Sequence, residues 1–129
     1  LILYLSQSEP AMRWIEMDFP WRAYVENLNK SIPLNVRRPF WDETFKVDGR
    51  PVPEDFYIRG CEWSIYYYPE GYFESYDVPI DERGVESSSM AVSRLHRILN
   101  MACQLAAKND WIRYNEETMK FTMHPNLEK

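Results

Sequence analysis

The sequence predicts a mainly α fold of antiparallel helical hairpins, with a long irregular connection and a small C-terminal β-hairpin. Three observations predict it. Apolar residues recur at helical spacing through PWRAYVENLNK and through SSSMAVSRLHRILNMACQLAAKND. Serine and proline stand where helices start, and proline or asparagine stands where they stop. Alternation with period two is confined to WIRYNEETMKFTM.

The elements follow in order. LILYL is expected to be the end of a helix over about 1–7 whose start lies upstream. It has no basic region before it and no cleavage pattern after it, so it does not read as a signal peptide. A helix over about 9–18 begins at Ser8 as N-cap, carries Pro10 in its first turn and turns Ala11, Trp14 and Ile15 inward. Pro20 closes it. The next helix, about 21–30, places Trp21, Tyr24, Val25 and Leu28 on one stripe, with Arg22, Glu26 and Asn29 on the other face. Residues 31–53 hold four prolines and no sustained period, which makes them an irregular connection; Phe40, Trp41 and Phe45 give it an apolar side.

The stretch PEDFYIRGCEW invites a catalytic reading because two acids lie in an aromatic bed. Adjacent residues on a helix, however, point about 100° apart, so Glu54 and Asp55 cannot grip one substrate as a carboxylate pair must. The pattern reads better as a short helix over about 53–59. Pro53 sits in its first turn, the acids lie beside the positive end of the helix dipole, and Gly60 follows its last turn. Asp55 and Arg59 are spaced for an ion pair across one face, with Trp63 as the anchor that follows. On this reading Glu54→Ala and Gly60→Val damage folding.

Tyr68-Pro69-Glu70-Gly71 matches a type I turn. The aromatic residues around it, Tyr66, Tyr67, Tyr72 and Phe73, could serve as stacking platforms for single-stranded bases, with Arg37, Arg38 or Lys46 supplying charge. Against that stands the absence of Lys and Arg between Arg59 and Arg83. A long amphipathic helix over about 88–108 follows a serine run that serves as its N-cap. It presents Ala91, Leu95, Ile98, Leu99, Ala102, Leu105 and Ala106 inward and stops at Asn109. The hairpin over about 111–123 pairs Ile112 and Tyr114 with Phe121 and Met123 around an NEET turn.

Composition narrows function. The 129 residues suffice for one domain or a fragment of one, and aromatic residues reach 16%. No apolar run approaches the roughly 20 residues of a membrane span. The net charge of −5 is carried by the second part of the chain: residues 54–129 hold eight Lys/Arg against thirteen Asp/Glu, and residues 1–53 hold seven of each. A duplex-binding surface requires the opposite bias. Cys61 and Cys103 are too few for a disulfide scaffold and point to a reducing, intracellular setting. With no histidine near either, they read as buried thiols, and His96 and His124 lack partners at metal-ligand spacing. With four glycines in all, the chain has no glycine-rich phosphate loop. Neither a catalytic group, a cofactor site nor a metal site is expected.

Taken together, PWRAYVENLNKSI, the irregular connection, PVPEDFYIRGCEWSIYYYPEGYF, the DER triplet and RLHRILNMACQLAAKNDWIRYNEETMKF carry a resemblance that covers nearly the whole chain. This order of parts resembles the C-terminal DNA/RNA-binding-type helical domain of the Ever Shorter Telomeres / SMG adaptor family, in its fungal form. The matching positions are Pro53, Glu54, Asp55, Arg59, Gly60, Trp63, Tyr67, Tyr68, Pro69, Phe73, Asp81, Glu82 and Arg83. The resemblance implies a superhelical tetratricopeptide/HEAT-like platform that follows an N-terminal helical domain. It also implies a non-enzymatic adaptor in nonsense-mediated mRNA decay or telomere maintenance. The partners it implies are that N-terminal domain and components of the RNA-decay or telomerase machinery.

Overall fold

The computed structural model describes residues 2–32, 51–65, 67–76 and 78–127, with the backbone alone at Leu3. Helices α1 (Ile2–Leu5), α2 (Glu9–Asp18), α3 (Trp21–Ser31), α4 (Pro53–Ile58) and α5 (Ser88–Lys108) precede a two-stranded antiparallel sheet of β1 (Ile112–Asn115) and β2 (Lys120–Met123). Single 3₁₀ turns occur at Glu62–Ser64, Ile80–Glu82 and Pro125–Leu127. Among the described residues the chain is mainly helical with one small sheet, as its periodicity predicts. The expected connection and its Phe40, Trp41 and Phe45 lie largely outside the described residues.

Ser8 stands at the N-cap of α2, but its side chain makes no capping bond; its carbonyl accepts the Met12 amide. At the other end, Pro20 (φ −76°, ψ 67°) has the dihedrals of an inverse γ-turn, closed by Trp21 N–H donating to the Phe19 carbonyl at 2.8 Å. This turn swings the chain from α2 into α3. The Trp21 indole then donates to the Ile15 carbonyl at 3.2 Å, a second donor to an oxygen that also accepts the Phe19 amide at 3.2 Å.

One core lies between α2, α3, the C-terminal half of α5 and the hairpin. Ile15, Trp21, Val25, Leu28, Leu99, Ala102, Cys103, Leu105, Trp111, Ile112 and Phe121 are its buried members. The Trp21 and Trp111 rings pack 5.2 Å apart, and the Trp111 indole donates to Glu16. Trp14 does not join them: it is 59% exposed, because the inward face of α2 runs through Met12, Ile15 and Phe19 instead. Along α5, Leu99, Ala102 and Leu105 are buried as expected, whereas Ala91 and Ile98 are exposed and Arg97, Asn100 and Cys103 are buried.

The hairpin pairs Ile112 with Met123 and Tyr114 with Phe121, the register that alternation predicts. Its turn is bound by Asn115, whose Oδ1 accepts the amides of Glu117 and Thr118, and Met119 closes it in the left-handed region at φ 54°. The hairpin lies between α3 and α5, with β2 against the former and β1 against the latter. Asn29 of α3 completes the attachment. Its amide donates to the Phe121 carbonyl at 2.9 Å and accepts the Phe121 N–H at 2.8 Å, satisfying that residue's backbone as a third strand would.

Candidate functional site

The acid-rich block folds back on the N-terminal half of α5. Helix α4 starts with Pro53 in its first turn, and Asp55 closes a reciprocal cap: its amide donates to the Val52 carbonyl at 3.0 Å, and its Oδ2 accepts the Val52 amide at 2.9 Å. The carboxylate is almost fully buried and has further donors. Arg97 Nη1 reaches both oxygens at 2.8 Å, and the Tyr68 hydroxyl donates to Oδ1 at 2.8 Å. Arg97 Nη2 also donates to the Tyr72 hydroxyl at 2.7 Å.

The expected Asp55–Arg59 pair is therefore replaced by Asp55–Arg97. A surface pair contributes little, whereas a buried carboxylate demands a full set of donors, and α5 supplies the stronger one. Arg59 instead lies 5.4 Å from the Phe73 ring centroid and 5.9 Å from that of Phe56. The neighbouring Glu54 diverges as helical geometry requires and meets Arg94, one turn before Arg97. Arg94 Nε and Nη2 donate to its two oxygens, and Arg94 Nη1 and Nη2 donate to Glu86. Two adjacent acids thus engage two arginines at i and i+3 of one long helix. The signal in the sequence is the spacing of RLHR, Arg94 and Arg97, set against ED.

Electrostatics follow from these contacts. The Arg94 hydrogen bonds hold the Glu54 carboxyl below its ordinary range. Burial opposes the charge on Arg97, and the Asp55 hydrogen bonds and charge outweigh it, so the guanidinium is held more firmly protonated than usual. Burial pushes the Tyr72 phenol up to about 12; burial and the Asp55 hydrogen bond raise that of Tyr68. With its oxygens taken by an amide, a phenol and a guanidinium, Asp55 is a structural tie rather than a base.

Other expected signature residues fall around this tie. Gly60 does not carry the stop of α4: the Ile58 carbonyl accepts the Cys61 amide at 2.9 Å and the Ser64 hydroxyl at 2.5 Å. A Cβ at Gly60 would meet nothing within 4 Å among the described residues, so the expected folding damage from Gly60→Val finds no clash at that carbon. Trp63 is half-buried, and Ser64 beside it is the buried residue. Pro69 is exposed, and the turn after it closes one residue later than expected. The Tyr72 amide donates to the Pro69 carbonyl, and Gly71 stands at φ 73° in the left-handed region that glycine suits.

Of the residues expected to stack on bases, Arg37, Arg38, Lys46 and Tyr66 lie outside the described residues. Tyr72 is 6% exposed and lies against Tyr68, with ring planes 13° apart, while Tyr67 and Phe73 are half-buried against Tyr68. These rings form an aromatic cluster that reaches α4 through Phe56 and α5 through Arg97. Nearby cations are also engaged: Arg94 and Arg97 by carboxylates, Arg59 and Arg83 by the Phe56 ring.

Outside this cluster the surface carries large apolar groups. Tyr57 and Ile80 are 82% and 81% exposed. Arg83, which follows the turn that carries Ile80, lies 4.8 Å from the ring centroid of Phe56 in α4. An open depression of ≈ 570 Å³ between α5 and the hairpin is lined in part by Cys103, Arg113 and Glu116. Burial raises the Cys103 thiol to about 11, leaving little thiolate near neutrality. Among the described residues, no group of three His, Cys, Asp or Glu side chains is placed to hold a metal, and no helix is long and apolar enough to cross a membrane.

In comparisons with protein-family models, curated proteins and solved structures, none matches the chain.

Proposed function

We propose that this chain is a non-enzymatic adaptor domain that works through protein–protein contacts, in RNA decay or telomere maintenance. In this reading it belongs to a superhelical platform whose helical hairpins continue from a preceding helical domain. The observation that carries the proposal is the exposure of two large apolar side chains, Tyr57 on the helix that the Asp55–Arg97 pair ties down and Ile80 on the turn before α5. Exposed aromatic and aliphatic anchors on an ordered scaffold are what a partner needs, because the ordering entropy is already spent. Two features favour a protein partner over a nucleic acid: the acidic balance of residues 54–129 and the engagement of nearby arginines by carboxylates or rings.

Two measurements test the reading. Capture from nuclear and cytoplasmic extract is expected to recover mRNA-decay or telomerase components, and recovery of neither contradicts the pathway assignment. Fluorescence anisotropy with labelled single-stranded RNA at low salt is expected to show no binding. Tight, salt-dependent binding there would replace the adaptor reading with base stacking.

A further inference from the structure

Helix α2 has two apolar faces, and one of them is turned away from the core. Met12, Ile15 and Phe19 pack inward, while Trp14 is 59% and Met17 79% exposed on the far side. At about 100° per residue, Trp14 and Met17 lie about 60° apart, with Pro10 between them in projection; Arg13 and Asp18 flank them by about 40° on either side. All five are exposed. In heptad terms Pro10, Trp14 and Met17 occupy a d–a–d seam, Arg13 a g position and Asp18 the following e position.

We propose that this face pairs with α2 of a second copy of the chain, parallel and about a two-fold axis running along the helices. In that arrangement Arg13 of each copy meets Asp18 of the other, five residues further on, so both flanks carry opposite charges. Trp14 packs on Trp14 and Met17 on Met17 across the axis. Antiparallel pairing would set Arg13 against Arg13 and Asp18 against Asp18, so the charges select the direction. Arg13 is available for this role: its contact with Glu9 is 3.9 Å long between side chains that are 79% and 86% exposed. Three helical turns supply a small interface, so the expected dissociation constant lies between about 1 μM and 1 mM.

Sedimentation equilibrium of the whole chain over a range of concentrations tests the pairing. The unaltered chain is expected to reach a monomer–dimer equilibrium, with Trp14→Ser monomeric at an unchanged melting temperature. Arg13→Asp and Asp18→Arg alone should each weaken association at least tenfold, and the two together should restore it. A chain that stays monomeric up to about 1 mM overturns the proposal. So does a double variant no tighter than the single ones, or association that persists in Trp14→Ser. If the chain is monomeric and a different protein is captured in a Trp14-dependent way, the face serves that protein and self-pairing is excluded.

Discussion

Asp55 of α4 and Arg97 of α5, forty-two residues apart, are joined by two hydrogen bonds of 2.8 Å, with 2% and 8% of their side chains exposed. This pair fixes the aromatic segment to the long helix and so determines what the surface beyond it presents. Removing one partner leaves a charge buried without compensation. Asp55→Ala and Arg97→Met are each expected to cost about 3–5 kcal/mol in urea unfolding. The double variant Asp55→Leu/Arg97→Met should cost clearly less than the two single costs added together, because neither charge then remains. Additive costs would show that the pair does not act as a unit.

The glycines are expected to behave in opposite ways. Gly60→Ala meets open space without a positive φ and should change stability by no more than about 0.5 kcal/mol. Gly71→Ala forces a side chain into φ 73° and should destabilise by about 1–2 kcal/mol. Melting curves of the two variants check this order, and a greater loss at Gly60 contradicts it.

Where one residue's neighbours decide its role, the sequence was legible. The stripe Trp21, Val25 and Leu28, the stop at Asn109 and the Tyr114–Phe121 register all follow from local period and punctuation. Roles decided across the fold were not. Asp55 had an arginine four residues away at favourable spacing, and only the packing of α4 on α5 shows that Arg97 wins it. Trp14 fits an inward helical face by its spacing from Ala11, but α2 packs on the core through Met12, Ile15 and Phe19 instead. The capping of Ile58 by Ser64 spans six residues of irregular chain and leaves no periodic trace.

Asn29 stands in for a strand on β2. Asn29→Leu removes both bonds to the Phe121 backbone and leaves its amide and carbonyl without those partners. The expected loss is about 1–3 kcal/mol, with hydrogen exchange at the Phe121 amide accelerated. Unchanged protection there would mean that the hairpin holds its edge without the asparagine.

Stability is expected to fall on the alkaline side. The folded Tyr72 phenol is raised from 10.0 to about 12 by burial, so between these values the unfolded chain loses a proton that the folded chain keeps. Folding then binds more protons than unfolding, and the contribution, complete below pH 10, disappears as pH rises through about 12. Urea midpoints measured across this range should decline, less steeply in Tyr72→Phe. On the acid side the sign reverses for Glu54. Its folded pKa is held below 4.5, so its contribution is present above that value and is lost as pH falls through the folded one.

The adaptor reading rests on two exposed apolar side chains, Tyr57 and Ile80, and on a buried tie, and the most direct measurement separates the two. A protein captured from extract by the unaltered chain is titrated against Tyr57→Ser/Ile80→Ser, a double variant of exposed residues expected to keep the melting temperature. The account predicts affinity reduced at least tenfold with folding intact. Unchanged affinity with folding intact would contradict it.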